Sequence, residues 1–453
     1  MTEVLLGPID ELPQLRTYTT LLLGFPLEGT VKQAEIIERL QAATDTLVDH
    51  FPFLAGHTTV QDVNEETLNA TKFIPNCNGY QVRVTLNDVL ELFPSYETIR
   101  KARAPASVLD GAIIGEGEGY PAKRTGTTLD PCFRLRANFV DRGLLLTFAL
   151  IHVIGDGNSL GQVIKLFAMA CRGDKILDAE IKAGNVDRRG SLPSLQPHEH
   201  RLDHSNMIVK AAPNDGHHDT PDKNNASPMR WAYHHIPQEK LAELKAEASG
   251  LAYPDRNRPF VSTNDAVTAL AWQAITKARL PRLQSNGQTT LMRAINSRQK
   301  LNPPLAAETI QNVITMTYTN FGMEEVATKL SLPTLAIQLR KELGAIDDHH
   351  VRSVITFMRS VKDKGSIGYG ASVGPNDIVV SSFAKFPVWG DFGPLLGKPE
   401  FARRPTLTPM DGMVYIMPRN PDGSLDVAIS IRDEEVKRMR VDEKWNYYTE
   451  FIG

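Results

Sequence analysis

The run His152-Val153-Ile154-Gly155-Asp156-Gly157 sets an imidazole and a carboxylate four residues apart around a glycine turn. Just before it, Leu144, Leu146, Phe148, Leu150 and His152 fall on one side of a period-two pattern. An imidazole ending an apolar face is partly desolvated, which disfavours its charged form and keeps it a neutral base near pH 7. Gly155 lets the chain turn sharply before Asp156 arrives. The chemistry this arrangement suits is proton abstraction. A core histidine with satisfied hydrogen bonds would read the same way, so the motif is judged by its company.

Three other matches fail on context. Gly370-Ala371-Ser372-Val373-Gly374 fits the nucleophile elbow, yet a polar loop precedes it and Pro375-Asn376-Asp377 leads into a strand where a helix is required. Gly115-Glu116-Gly117-Glu118-Gly119 has no strand feeding it, no helix after it, and glutamates that would repel phosphate. Asp391-Phe392-Gly393 stands without the other kinase motifs. A stretch containing His198, His200, His204, His217 and His218 lacks metal-ligand spacing, so no metal is expected.

The elements that must position the first motif read clearly. Arg16–Pro26 reads as a strand, and Ile36, Leu40, Ala43 and Leu47 form a helical stripe that stops at Pro52. Cys132–Val140 alternates, turns at Asp141-Arg142-Gly143 and returns as Leu144–His152, a hairpin. Leu160, Val163, Ile164, Phe167, Ala168 and Cys171 then mark a helix buried along one face. Residues 183–228 carry turn signals and few large apolar groups, and are expected to be a crossover linker. Beyond it, Ser262-Thr263-Asn264-Asp265 opens a helix whose buried face is Val267, Leu270, Ala271, Ala274, Ile275 and Ala278. Strands are expected at Ile314–Tyr318, Ile378–Phe383 and Val414–Met417, and helices near Leu335–Leu343 and Glu434–Tyr448.

The chain has 453 residues, enough for two domains. Fifty Lys+Arg against 53 Asp+Glu leave a net charge of -3, so no basic excess drives nucleic-acid or anionic-membrane binding. The longest apolar stretch, Leu144 to Ile154, is far short of the roughly 20 residues of a membrane span. The first residues lack the pattern of a signal peptide, and the three cysteines form no C-x-x-C pair. A cytoplasmic protein is expected, and the sequons at Asn69 and Asn225 carry little weight.

H-x-x-x-D-G followed far downstream by Asp391-Phe392-Gly393-Pro394-Leu395-Leu396-Gly397-Lys398-Pro399 resembles the BAHD superfamily of acyl-CoA-dependent acyltransferases. Phe51 to Gly56, Asp265 to Trp272, Ile295 to Arg298, Leu301 to Leu305 and Asn312 to Ile314 are similar to the same family, in order along the chain. Leu396 to Glu400, Arg403-Arg404-Pro405, Pro421-Asp422-Gly423 and Ser430 to Glu434 look like its fungal trichothecene 3-O-acetyltransferase group. Two departures stand out. Pro394-Leu395 replaces the Trp-Gly usual in plant members, and Phe383 replaces a tryptophan whose N–H could assist the reacting oxygen.

The resemblance implies an α/β fold of two similar domains, each a mixed sheet with flanking helices, around a channel. The expected domains are 1–182, joined by a segment near 391–417, and 229–453. It implies an acyl-CoA-dependent O-acyltransferase, with acetyl-CoA as co-substrate, no permanently bound cofactor, a small-molecule acceptor and a monomeric chain. In it His152 is the general base, while Asp156 points away and pairs with Arg298, and Gly157 permits close approach at the channel. Ser381, Ser382 and Thr263 are expected near the thioester or pantetheine arm. Asp391, Phe392 and Gly393 shape the interface and the CoA mouth, and Trp389 and Tyr415 line the acceptor pocket. Competing readings are a condensation-type catalyst, whose usual doubled histidine is missing because Ile151 precedes His152, and a non-transferring protein on the same fold.

Overall fold

Alternating and doubly apolar runs build two large sheets and a small one. The computed structural model describes residues 6–29, 31–61, 67–76, 79–116, 128–208, 227–250, 260–283, 286–368 and 374–453. The five-stranded sheet runs in the order Phe401–Arg403, Tyr18–Pro26, Gly143–Ile151, Phe133–Val140, Val84–Asp88. Its centre is the hairpin, where Phe133 lies opposite Leu150 and Val140 opposite Gly143 across a turn with Arg142 at φ +58°. Every residue of Gly143–Ile151 is buried, so this strand is covered on both faces.

The seven-stranded sheet follows the order Ile314–Gly322, Gln288–Asn296, Ile378–Ser382, Met413–Ile416, Leu425–Arg432, Met229–Ile236, Glu450–Phe451. Ile378–Ser382 runs parallel to both neighbours, and the other pairings are antiparallel. The helices Gln238–Ala248, Thr263–Arg279 and Leu332–Ala345 cover it with a core built around Trp272 and Trp445. Ser262 and Asp265 form a reciprocal capping box at the start of the middle helix.

A loan of chain ties the two sheets together. After Ile378–Ser382 the backbone crosses to the five-stranded sheet, adds Phe401–Arg403 beside Tyr18–Pro26, and returns as Met413–Ile416. The shared segment therefore ends before Met413, earlier than the expected 417. Phe392 anchors the crossing, its ring 4.9 Å from Phe25 and 6.3 Å from Phe167. Gly393 adopts φ +92°, which a side chain would resist.

Several expectations need correction. The Gly157–Arg172 helix is buried far beyond one face, because the crossing segment closes its second side: Ser159, Gly161, Gln162 and Leu166 are buried too. Residues 183–208 are not a loose linker, since the helix Asp178–Gly184 enters this region and the chain beyond is latched to the helix Asp348–Ser360. There Leu195 and Leu202 donate their N–H groups to Thr356 and Ser353, and Arg352 pairs with Glu199. Residues 209–226, with His217 and His218, lie outside the described residues, as do Gly117 to Gly119 and Gly370 to Val373. Glu434–Tyr448 is two helices, Asp433–Met439 and Glu443–Tyr448, because Asp442 caps the second with Trp445 N at 2.8 Å.

Candidate active site

His152 continues the strand ladder one residue past Ile151, donating its N–H to Thr17 O at 2.7 Å. Its side chain meets an amide from the segment that leads into the strand Ile314–Gly322 of the other large sheet: Nδ1 lies 3.1 Å from Asn312 Oδ1. The Asn312 NH2 group faces Asp10 Oδ1 at 2.8 Å, His152 O at 2.7 Å and Val153 O at 3.1 Å. These acceptors fix the amide, so its oxygen faces the ring. Nδ1 therefore carries the proton, and Nε2 keeps its lone pair. Asp10 is itself buried and paired with Arg188 at 3.2 Å. Burial pushes the imidazole below its ordinary value; its own backbone carbonyl, Asp156, Asn312 and Asp10 pull upward without reversing this.

Asp156 turns away from the ring. It caps the Gly157–Arg172 helix through Ser159 N at 3.0 Å and accepts Val313 N at 3.0 Å. Its two oxygens meet the two terminal nitrogens of Arg298 at 2.8 and 3.0 Å, a bidentate pair with side chains 2% and 0% exposed. Arg298 also reaches the carbonyls of Thr309 and Gln311, which bracket the approach to Asn312. Burial alone would raise the Asp156 carboxyl, but Arg298 and the N–H groups of Val313 and Ser159 hold it below the usual carboxylate range.

Between the two large sheets lies a cavity of about 150 Å³. His152, Gly157, Ser381, Phe383, Arg404 and Tyr415 all line it. At Gly157 a Cβ would stand 2.7 Å from the Phe386 ring, so glycine is needed for this contact with aromatic side chains. Phe386 stacks on Phe383 with centroids 4.5 Å apart. A neighbouring cavity of about 90 Å³ shares Met316 with the first and is lined by His204, His350 and Tyr318.

The structure thus brings His152, Gly157, Ser381 and Tyr415 together and fastens Asp156 to Arg298 behind them. It does not bring Ser382, Thr263 or Trp389 into this cavity. Ser382 points to the opposite face of its strand, where its Oγ accepts from Asn264 Nδ2 at 2.8 Å. Thr263 is the first residue of its helix on that same side. Trp389 packs at the crossing segment and donates Nε1–H to Arg419 O at 2.7 Å. Asp391 caps its own turn through Gly393 N at 2.7 Å. Sequence reasoning gave no role to Asn312, Asp10, Arg188 or Arg404. Asn312 and Arg404 lay within blocks that carry the family likeness, whereas nothing local marked Asp10. Among the described residues no group of three or more His, Cys, Asp or Glu could hold a metal, and no helix is long and apolar enough to cross a membrane.

The Transferase family model matches residues 122–446, and the trichothecene 3-O-acetyltransferase-like N-terminal domain matches residues 17–171. The chain belongs to the Transferase family. An O-acyltransferase of Monascus ruber is 33% identical over 98% of each chain. A trichothecene 3-O-acetyltransferase of Fusarium sporotrichioides is 31% identical over 97% of this chain and 95% of its own. The crystal structure of F. sporotrichioides TRI101 complexed with coenzyme A and T-2 superposes with a TM-score of 0.89, at 29% identity and over 100% of both chains. The fold of that structure, an α/β arrangement of mixed sheets with flanking helices, is therefore the fold of this chain.

Proposed function

We propose that this chain is an acyl-CoA-dependent O-acyltransferase that moves an acetyl group from acetyl-CoA to a hydroxyl of a fungal secondary metabolite, with His152 as general base. The observation that carries the reading is the imidazole at the cavity wall, its Nδ1 anchored on Asn312 and its Nε2 unengaged by protein among the described residues. Its relatives over nearly the full length are O-acyl- and O-acetyltransferases, and one was crystallised with coenzyme A.

A thioester is already activated, so no acyl-enzyme is needed. Nε2 takes the hydroxyl proton as the oxygen attacks the thioester carbon, and the carbonyl electrons move onto oxygen. The tetrahedral intermediate then collapses, the C–S bond breaks, and the imidazolium proton passes to the departing CoA thiolate. Ser381, on the cavity side of its strand, offers a hydroxyl to meet the oxyanion or the pantetheine arm, in place of the indole lost at Phe383. Asp156 and Arg298 position the turn and the 309–313 segment that hold the ring. Acetyl-CoA acts as co-substrate in a cytoplasmic, monomeric enzyme whose domains are residues 1–182, joined by the crossing segment that carries Phe401–Arg403, and 229–453.

The test is acceptor-dependent release of thiol. The protein is incubated with acetyl-CoA, a panel of small alcohols and a thiol reagent, and the ester is identified by mass. Release of CoA matched by ester is expected. Absence of transfer to every alcohol from acetyl-CoA, with transfer from a carrier-protein thioester, would overturn the reading in favour of a condensation-type catalyst.

A further inference from the structure

The buried arginines around the site are neutralised: Arg298 by Asp156, Arg188 by Asp10, Arg403 by Asp426 and Arg293 by Asp265. Arg404 is different. It lines the His152 cavity, half-buried, and among the described residues it meets no carboxylate and its side chain donates no hydrogen bond. Its guanidinium carbon sits 3.7 Å from the centre of the Tyr415 ring and 5.6 Å from that of Phe383. Its backbone is clamped, with the N–H donating to Tyr233 Oη at 2.9 Å and the carbonyl accepting from the same hydroxyl at 3.3 Å. A stacked, clamped guanidinium presents its N–H fork to whatever enters.

The rest of the lining sharpens the asymmetry. The other polar groups are neutral (Gln14, Thr17, Thr19, Ser381, His152 and the hydroxyls of Tyr18 and Tyr415), the remainder is largely apolar, and among the described residues no carboxylate faces this cavity. Asp203 belongs to the neighbouring cavity beyond Met316, where its carboxylate accepts Ser205 N at 2.8 Å. In apolar surroundings a fixed cation attracts an anionic oxygen and repels an ammonium more strongly than in water. We propose that Arg404 is a specificity-determining residue: the cavity takes hydroxylated acceptors that also carry an anionic oxygen, a carboxylate or an acidic enol, and rejects basic amines. The inference rests on the acyl-transfer reading and adds to it the charge class of the acceptor.

The test is calorimetric binding of octanoate, 1-octanol and octylammonium to the full chain saturated with CoA, three probes of one chain length and three charges. Octanoate is expected to bind about ten- to hundredfold tighter than octanol, the range of a charge-assisted hydrogen bond, and octylammonium weakest. R404Q should erase the octanoate advantage, and R404K, which keeps charge without the fork, should retain part of it. Equal binding of octanoate and octanol to the wild-type chain, or an advantage that survives in R404Q, overturns the proposal. The wild-type comparison decides the matter even if R404Q does not fold. The alcohol panel separates the two claims: charge selectivity without acyl transfer refutes the reading beneath, and acyl transfer without charge selectivity refutes Arg404 alone.

Discussion

Replacing Asp156 probes the part of the site that is turned away from the imidazole. Its carboxylate neutralises a fully buried guanidinium at 2.8 and 3.0 Å, caps a 16-residue helix and holds Val313 N. Breaking a buried pair by removing one member costs about 3–5 kcal/mol, because the remaining charge has no counterion. The lost cap adds about 1 kcal/mol. Asp156→Ala would thus remove a large share of a typical stability of about 5–15 kcal/mol, so Asp156→Asn is the sharper tool. The amide oxygen can still accept Ser159 N, while the NH2 group stands where an oxygen accepted Val313 N and Arg298, so the variant loses the charge together with those two bonds but keeps the cap. Urea unfolding at pH 7 should show Asp156→Asn less stable by about 3 kcal/mol or more. Arg298→Met should show a similar loss, and the double variant less than the sum, with a coupling of about 0.5–3 kcal/mol. Because Val313 adjoins Asn312, kcat should fall in Asp156→Asn with little change in KM for acetyl-CoA. The sign with pH also follows. Asp156 is held below its unfolded value of about 3.9, so its stabilisation is present above that pH and is lost as pH falls through the lower folded value. A loss under 1 kcal/mol together with strict additivity would refute the argument.

Two further predictions concern the ring itself. Burial lowers the His152 value, so kcat/KM should rise with pH through one ionisation below about 6.5 and then stay flat, unaffected by EDTA; a limb well above 6.5 or loss with EDTA would contradict this. Asn312→Ala removes the acceptor at Nδ1 and should lower kcat about tenfold, the worth of one hydrogen bond, with acetyl-CoA KM nearly unchanged; an unchanged kcat would mean the amide does not position the ring.

What the sequence disclosed depended on how local the signal was. The hairpin and the Gly157–Arg172 helix were legible because period-two and period-3.6 patterns arise within single segments. Leu425–Arg432 was not, because all eight of its residues are buried and its one acid is satisfied from afar: Asp426 pairs with Arg403 and His235. The order of residues 185–208 was equally hidden, since its turn-rich composition says nothing of the helix that latches it. At the site, His152 and Asp156 stood out by their own spacing, and Arg298 entered through family likeness alone. Asn312 and Asp10 could not be found locally, lying 160 residues from His152 and 302 residues from each other respectively. Ser382 and Ser381 look alike in sequence, and only the pleat, with Asn264 waiting on one side, separates their directions.

The most direct test of the central claim is the turnover of His152→Ala with acetyl-CoA and the best alcohol of the panel. Circular dichroism and CoA affinity should be measured on the same preparation. If Nε2 is the base, kcat falls by about 10²–10⁴-fold while fold and CoA affinity are retained. A variant that keeps more than about a tenth of wild-type turnover, below even the weakest effect expected of a general base, would contradict it.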